Sequence, residues 1–285
     1  MKNCIRLLRV LLFGPVLLIL TDCTTLPEKM LSTGEDLSFV VVGDIQQGFG
    51  VFSELAYQIG DLEPIPCVAI FTGDYMTKPG NELEWIHFWN CAAPVTATMP
   101  VLLTRGNHEG NSAEDEYAFR TYGRITQEHF YYSFKQGNLL FVILDTHVKG
   151  EERSISGAQL EWLRDQLEEA EADSITDYIF LFMHRPLFPQ ANQRLLPLVN
   201  AEELHRLFAD YPKVKAVFAG HEHLFSKNLR DSLDYIISGG GGAYLIRGYG
   251  GDYFHFIKVS VYLEEKRVNL KTIGLFHEVV EDFDL

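Results

Sequence analysis

The stretch Val101-Leu-Leu-Thr-Arg-Gly-Asn-His-Glu109 runs apolar residues into a glycine, then sets an amide, an imidazole and a carboxylate side by side. A strand that stops there exposes a metal-type oxygen at Asn107 and a proton carrier at His108. Glu109 adds a carboxylate able to orient that carrier. Four other apolar runs end in the same manner, in Gly43-Asp44-Ile45-Gln46, Thr72-Gly73-Asp74-Tyr75, His184-Arg185-Pro186 and Gly220-His221-Glu222-His223. Each alone has an ordinary reading, since Gly-Asp pairs form turns. Together they make a donor set of oxygens and imidazoles, without thiolate, that includes an aspartate able to bridge. Such a set suits a pair of first-row divalent ions better than a structural zinc.

These residues can meet if the carboxyl ends of their strands share one crevice. Apolar runs predict strands at Leu37–Val42, Cys67–Phe71, the opening stretch, Tyr178–Met183 and Val214–Ala219. Phe130–Phe134 and Asn138–Leu144 flank Lys135-Gln136-Gly137 as a hairpin, and further strands are expected at Leu233–Ile237, Tyr253–Leu263 and Arg267–Leu275. Helical spacing predicts Val51–Ile59, Asn81–Ala92 with Leu83, Ile86 and Trp89-Asn90 inward, Ser156–Ala172 with Leu160, Leu163 and Leu167 as its stripe, and Ala201–Ala209. Ser156 is the expected N-cap of the long helix. Continuous apolar strands alternating with helices predict an α/β fold with its sheet covered on both faces. Gly239–Gly242 interrupts the β pattern and lacks the lysine of a phosphate loop. It reads as backbone passing close beneath the histidines.

The chain has 285 residues and 47% hydrophobic content, enough for one large core, with no internal repeat. Its net charge of −15 argues against a nucleic-acid surface. A phosphate ester remains an eligible substrate if metal ions supply the positive charge. At the N-terminus Lys2, Arg6 and Arg9 precede the apolar run Val10–Leu20, which is too short to span a bilayer and has the order of a signal peptide. Leu20-Thr21-Asp22-Cys23 resembles a bacterial lipoprotein signal, in which the cysteine becomes the lipidated first residue; Asp22 departs from the small residue usual there. The expected organisation is a signal peptide over 1–22, a tether over 23–36 and a catalytic domain over 37–285. The expected location is the bacterial cell envelope, anchored through Cys23, with a periplasmic or secreted protein as the alternative. Cys67 and Cys91 are expected as buried free thiols.

The ordered blocks Gly43-Asp44-x-Gln46, Gly73-Asp74, Gly106-Asn107-His108-Glu109, His184 and Gly220-His221-x-His223 resemble the calcineurin-like metallophosphoesterase superfamily, which includes the purple acid phosphatases. The resemblance implies a four-layer α/β/β/α sandwich of two mixed β-sheets and a cofactor of two divalent ions, Mn, Fe or Zn. By position, Asp74 would bridge the ions, Asp44 and His223 would hold the first with Gln46 beside them, and Asn107, His184 and His221 would hold the second. His108 would face the substrate unligated, oriented by Glu109. The implied chemistry is attack of a metal-bound hydroxide on phosphorus, with His108 protonating the leaving oxygen. A small phosphomonoester is the favoured substrate; a phosphodiester or nucleotide is the alternative, and a non-catalytic lipoprotein binding module is the rival from another class.

Two positions depart from the family pattern. Many members have histidine where Gln46 stands, and an amide oxygen is a weaker, neutral donor, so a replaceable first metal such as Mn²⁺ or Fe²⁺ is expected. Purple acid phosphatases place a tyrosine three residues after the bridging aspartate. That residue here is Thr77, so the coloured tyrosinate-ferric site is not expected, and adjacent Tyr75 should point elsewhere. Arg105, Arg185 and Arg247 are candidates to pair with substrate phosphate, His147 to line the pocket and Asp145 to fix a turn.

Overall fold

The computed structural model describes residues 36–191 and 198–285. Cys23 and the expected signal peptide therefore lie outside the described residues. Strands β1 (Leu37–Val42), β2 (Val68–Phe71) and β3 (Val101–Leu103) run parallel. The hairpin strands β4 (Tyr132–Gln136) and β5 (Leu139–Ile143), then β6 (Tyr178–Phe182), β7 (Val214–Ala219), β8 (Phe225–Arg230) and β9 (Leu233–Ser238), form a second sheet in the order β4-β5-β6-β7-β9-β8. The chain returns to the first sheet through β10 (His255–Tyr262), β11 (Arg267–Gly274) and β12 (Val279–Asp284), giving the order β12-β11-β10-β1-β2-β3. Both sheets are mixed, with β5, β6, β7 and β9 parallel to one another in the second.

Side-chain alternation along the strands explains why nearly every residue of β1, β2, β5 and β6 is apolar. In β1, Phe39 and Val41 face the second sheet, where Phe141, Phe180, Phe182 and Phe218 meet them; the Phe39 and Phe141 rings stand edge to face at 5.1 Å. Val40 and Val42 face the other way, against α1 (Phe49–Gly60), α2 (Glu82–Cys91) and α3 (Ala93–Thr96). On the far side, Val142, Leu181 and Val217 pack on α5 (Gly157–Ala172) and α6 (Ala201–Ala209). The result is the α/β/β/α sandwich, and full burial of each such side chain is worth roughly 1.5–3 kcal/mol. No helix among the described residues is long and apolar enough to cross a membrane.

Two helix details differ from the sequence reading. In α2 the buried stripe is Trp85, Phe88 and Cys91, while Leu83 is 77% exposed and Ile86 50%. The larger aromatic rings win the inward face, one step round the helix from the aliphatic series. Ser156 does stand at the N-cap position of α5, but its hydroxyl donates to Glu151 at 2.6 Å instead of capping. A helix that the apolar pattern does not reveal, α4 (Ala113–Tyr122), has a reciprocal capping box between Ser112 and Asp115, a signal present in Ser-x-x-Asp. Cys91 is buried and Cys67 only half-buried.

Candidate metal centre

All five chemistry-bearing segments leave the carboxyl ends of parallel strands, β1, β2 and β3 from one sheet and β6 and β7 from the other. The turns there are sharp. Asp44, Asp74 and His221 have φ of 61°, 59° and 71°, in the left-handed region that non-glycine residues rarely occupy. Backbone bonds hold the first two turns together: Asp44 N–H donates to Gly73 O at 3.1 Å, and Ile45 and Gln46 N–H donate to Asp74 O at 2.9 and 3.1 Å. Asp44 is fully buried, and its two oxygens lie 2.9 and 3.0 Å from the His221 backbone N–H. That contact ties the two sheets directly beneath the cleft.

The side chains form two groups around Asp74. In one, His184 Nε2 lies 3.4 Å from Asp74 Oδ2, 3.1 Å from Asn107 Oδ1 and 3.2 Å from His221 Nδ1. In the other, His223 Nε2 lies 3.5 Å from Asp44 Oδ1 and 3.4 Å from the Gln46 amide nitrogen, which is itself 3.4 Å from Asp74 Oδ2. Ligand atoms of Asp74, His184 and His221 fall within 4.8 Å of one another, as do those of Asp44, Asp74 and His223. The histidines are oriented from behind. His184 Nδ1 is 2.8 Å from Thr72 O, and His223 Nδ1 is 2.9 Å from Tyr244 O. A carbonyl only accepts, so each Nδ1 carries a ring proton and each Nε2 is the nitrogen turned inward.

The electrostatics fit cations. Asp44, Asp74 and Glu109 are each no more than 2% exposed. Burial, with the Asp74 charge beside it, pushes the Asp44 carboxyl well above the usual range and Glu109 to about 8. Burial would also raise Asp74, but His184, with His108, carries it below the ordinary carboxylate value. A divalent ion in each donor group would offset this crowding of buried carboxylates. Gln46 Oε1 is buried without a hydrogen-bond partner. Turning that amide about its terminal bond would bring the oxygen in among the donors, as a ligand requires.

Glu109 does not orient His108. Its Oε2 accepts the N–H groups of Asp74 at 3.0 Å and Gly106 at 2.7 Å, and its Oε1 accepts that of Tyr75 at 2.9 Å. It is a backbone clamp joining the ends of β2 and β3. Arg105 also departs from its expected part. It is 1% exposed, pairs with Asp145 through Nε at 3.2 Å and Nη2 at 2.6 Å, and reaches Glu116 at 2.9 Å, so it cannot meet substrate. Asp145 fixes its turn as expected, accepting His147 N–H at 2.9 Å. Arg185 Nη1 lies 2.8 Å from His221 Nε2, which places it beside the second donor group. His147 is half-buried at the end of β5, held neutral by burial and by Arg105 and Arg185, and Arg247 is exposed. Tyr75 is fully buried, its hydroxyl between Phe71 O and Thr104 O at 2.7 and 2.9 Å, turned away from the cleft.

The glycine run closes the floor. Gly241 N–H donates to Gly43 O and Ala243 N–H to Asp44 O, both at 2.8 Å. A Cβ on Gly241 would stand 2.5 Å from Gly43 O, so the close approach requires glycine.

Residues 37–225, which carry both donor groups of this sandwich, match the family profile of calcineurin-like phosphoesterases, and the chain belongs to that family. Purple acid phosphatase 23 of Arabidopsis thaliana is 24% identical over 243 residues, covering 82% of this chain and 50% of that protein. The chain thus spans about half the length of the curated relatives it matches. Among solved structures, a purple acid phosphatase from yellow lupin superposes with TM-score 0.74 at 19% identity, over 87% of this chain and 53% of that one. A dimetal phosphatase from Danio rerio superposes at 0.65 with 16% identity, over 88% and 98%. Both share the fold.

Proposed function

We propose that the chain is a phosphoester hydrolase working with two divalent ions, Mn, Fe or Zn, and that a small phosphomonoester is its preferred substrate. The observation that carries this reading is the overlap of two three-residue donor groups on the single carboxylate of Asp74. Asp44, Gln46 and His223 would hold one ion, Asn107, His184 and His221 the other, and Asp74 both. When bound, such a pair supplies Lewis-acid neutralisation of the phosphate and acidifies the attacking water.

The chain's own residues provide the rest. The clamp at Glu109 and the pins on His184 and His223 set the donors before substrate arrives, which spares reorganisation during reaction. His108 is one-third exposed, with Nε2 3.9 Å from Asp74 Oδ2. There it can give a proton to the leaving oxygen as a general acid. If His221 held an ion through Nδ1, its ring proton would sit on Nε2, and Arg185 would then give up its contact there.

The test uses metal-stripped protein supplied in turn with Mn²⁺, Fe²⁺, Zn²⁺ and Mg²⁺, assayed on a chromogenic phosphomonoester and its diester. Monoester hydrolysis that disappears in Asp74→Ala is expected. Faster diester hydrolysis would favour a phosphodiesterase, and no hydrolysis with any metal would favour a binding module. We further propose attachment to a membrane through a lipid on Cys23, supported by the basic and apolar order before that residue. Cys23→Ala should then release the protein from membranes; retention would refute the anchor.

A further inference from the structure

With Glu109 committed to backbone, another group must hold His108. Its Nδ1 lies 3.0 Å from the carbonyl oxygen of Thr77, and because a carbonyl only accepts, Nδ1 carries a proton there. Nε2 is then the nitrogen turned toward Asp74 and the cleft. Thr77 in turn is gripped from outside its loop. Its N–H and its hydroxyl both donate to one carboxylate, Glu84, at 2.6 and 2.5 Å. Two bonds to the two oxygens of one carboxyl group fix direction as well as distance. Glu84 stands in the first turn of α2, where its own N–H is capped by Asn81 Oδ1 at 3.3 Å. The helix is seated in the core by Trp85 and Phe88, both almost fully buried.

We propose that Glu84 is a positioning residue for His108, acting through Thr77 to hold the imidazole with Nε2 facing the substrate. The inference rests on the reading of His108 as the acid. As the water oxygen bonds to phosphorus, the bond from phosphorus to the leaving oxygen breaks and that oxygen keeps the electron pair. It takes the Nε2 proton and departs as the alcohol. The water proton passes to solvent, and the neutral imidazole is reprotonated from solvent. A ring swung off this line would cost rate only where the leaving oxygen needs the proton. The position three residues after Asp74 is therefore no metal donor in this chain; it is a backbone handle.

The experiment compares full-length, metal-loaded Glu84→Gln, Thr77→Val, Thr77→Ser and His108→Gln on p-nitrophenyl phosphate, whose leaving group needs little protonation, and on glycerol phosphate, whose alkoxide needs it. Glu84→Gln and Thr77→Val should lose about tenfold or more in kcat on glycerol phosphate and less than about threefold on p-nitrophenyl phosphate. KM should hold, and Thr77→Ser should recover most of the loss. In metal-free protein, ¹⁵N shifts of the His108 ring should report the Nδ1–H form in the parent and mixed tautomers in Glu84→Gln. Equal losses on both esters, or an unchanged tautomer, would overturn the assignment. Equal losses in His108→Gln itself would instead remove the acid role, leaving the tautomer measurement to judge Glu84 alone.

Discussion

Gln46 presents an amide where an imidazole would bind a metal more tightly. Its oxygen is buried without a donor, and its nitrogen is shared between Asp74 and His223. Gln46→His should therefore tighten the first ion by about tenfold, the effect of about 1.4 kcal/mol of added ligand bonding. Competition with a coloured chelator measures it, and an unchanged affinity would mean that position 46 is no part of the first site. At this scale the sequence was most legible. Each donor sits beside a glycine or at the end of an apolar run, so residue type and place announce it. Glu109 was misread because adjacency to His108 suggested a contact, whereas its carboxylate turns back to three N–H groups that only the folded β2 and β3 bring together.

At the scale of elements, the Arg105–Asp145 pair joins the end of β3 in one sheet to the end of β5 in the other. Both side chains are almost fully buried, at 1% and 2% exposure. Arg105→Met should cost roughly 3–5 kcal/mol in denaturant unfolding, because Asp145 is left buried and unpaired, while adding Asp145→Leu should recover most of it. Additive losses in the double variant would rule out this coupling. His255 on β10 gives a pH-dependent counterpart. It is fully buried between Ser238 Oγ at 3.3 Å and Tyr253 O at 3.0 Å, and burial holds it down to about 4. The folded imidazole stays neutral while the unfolded one protonates near 6.5, so its stability contribution is whole above pH 6.5 and lost as pH falls toward 4. The span is up to roughly 3 kcal/mol. His255→Asn should flatten the curve of stability against pH in that window, in part only, since His147 is lowered to about 4 as well. An identical slope would show that His255 is not the source. Strand and helix positions were readable from periodicity, and the faces less so. Leu83 and Ile86 satisfy a helical stripe as well as Trp85 and Phe88 do, and only competition for space against β2 and α1 decides between them.

Across the whole molecule, the proposed donors are divided between the sheets: Asp44, Gln46, Asp74 and Asn107 on the first, His184, His221 and His223 on the second. Ions held there would cross-brace the sandwich. Metal at a hundredfold excess over its Kd should add about 2.7 kcal/mol of stability, raising the melting temperature of the parent protein and leaving that of Asp74→Ala nearly unmoved. A melting temperature indifferent to metal in the parent would contradict a site that spans both sheets. The division into two sheets came from family resemblance, because apolar strands alternating with helices read equally well as one sheet covered on both faces.

The direction of β1 has a last consequence. The strand enters the sheet at Leu37 and ends at the turn that carries Asp44, so the chain arrives at one pole of the sandwich and the donors sit at the other, about 20 Å away along the strand. A protein held by anything that precedes residue 36 is held by its back. A lipid on Cys23, as proposed, would thus be joined to the domain on the side away from the donors.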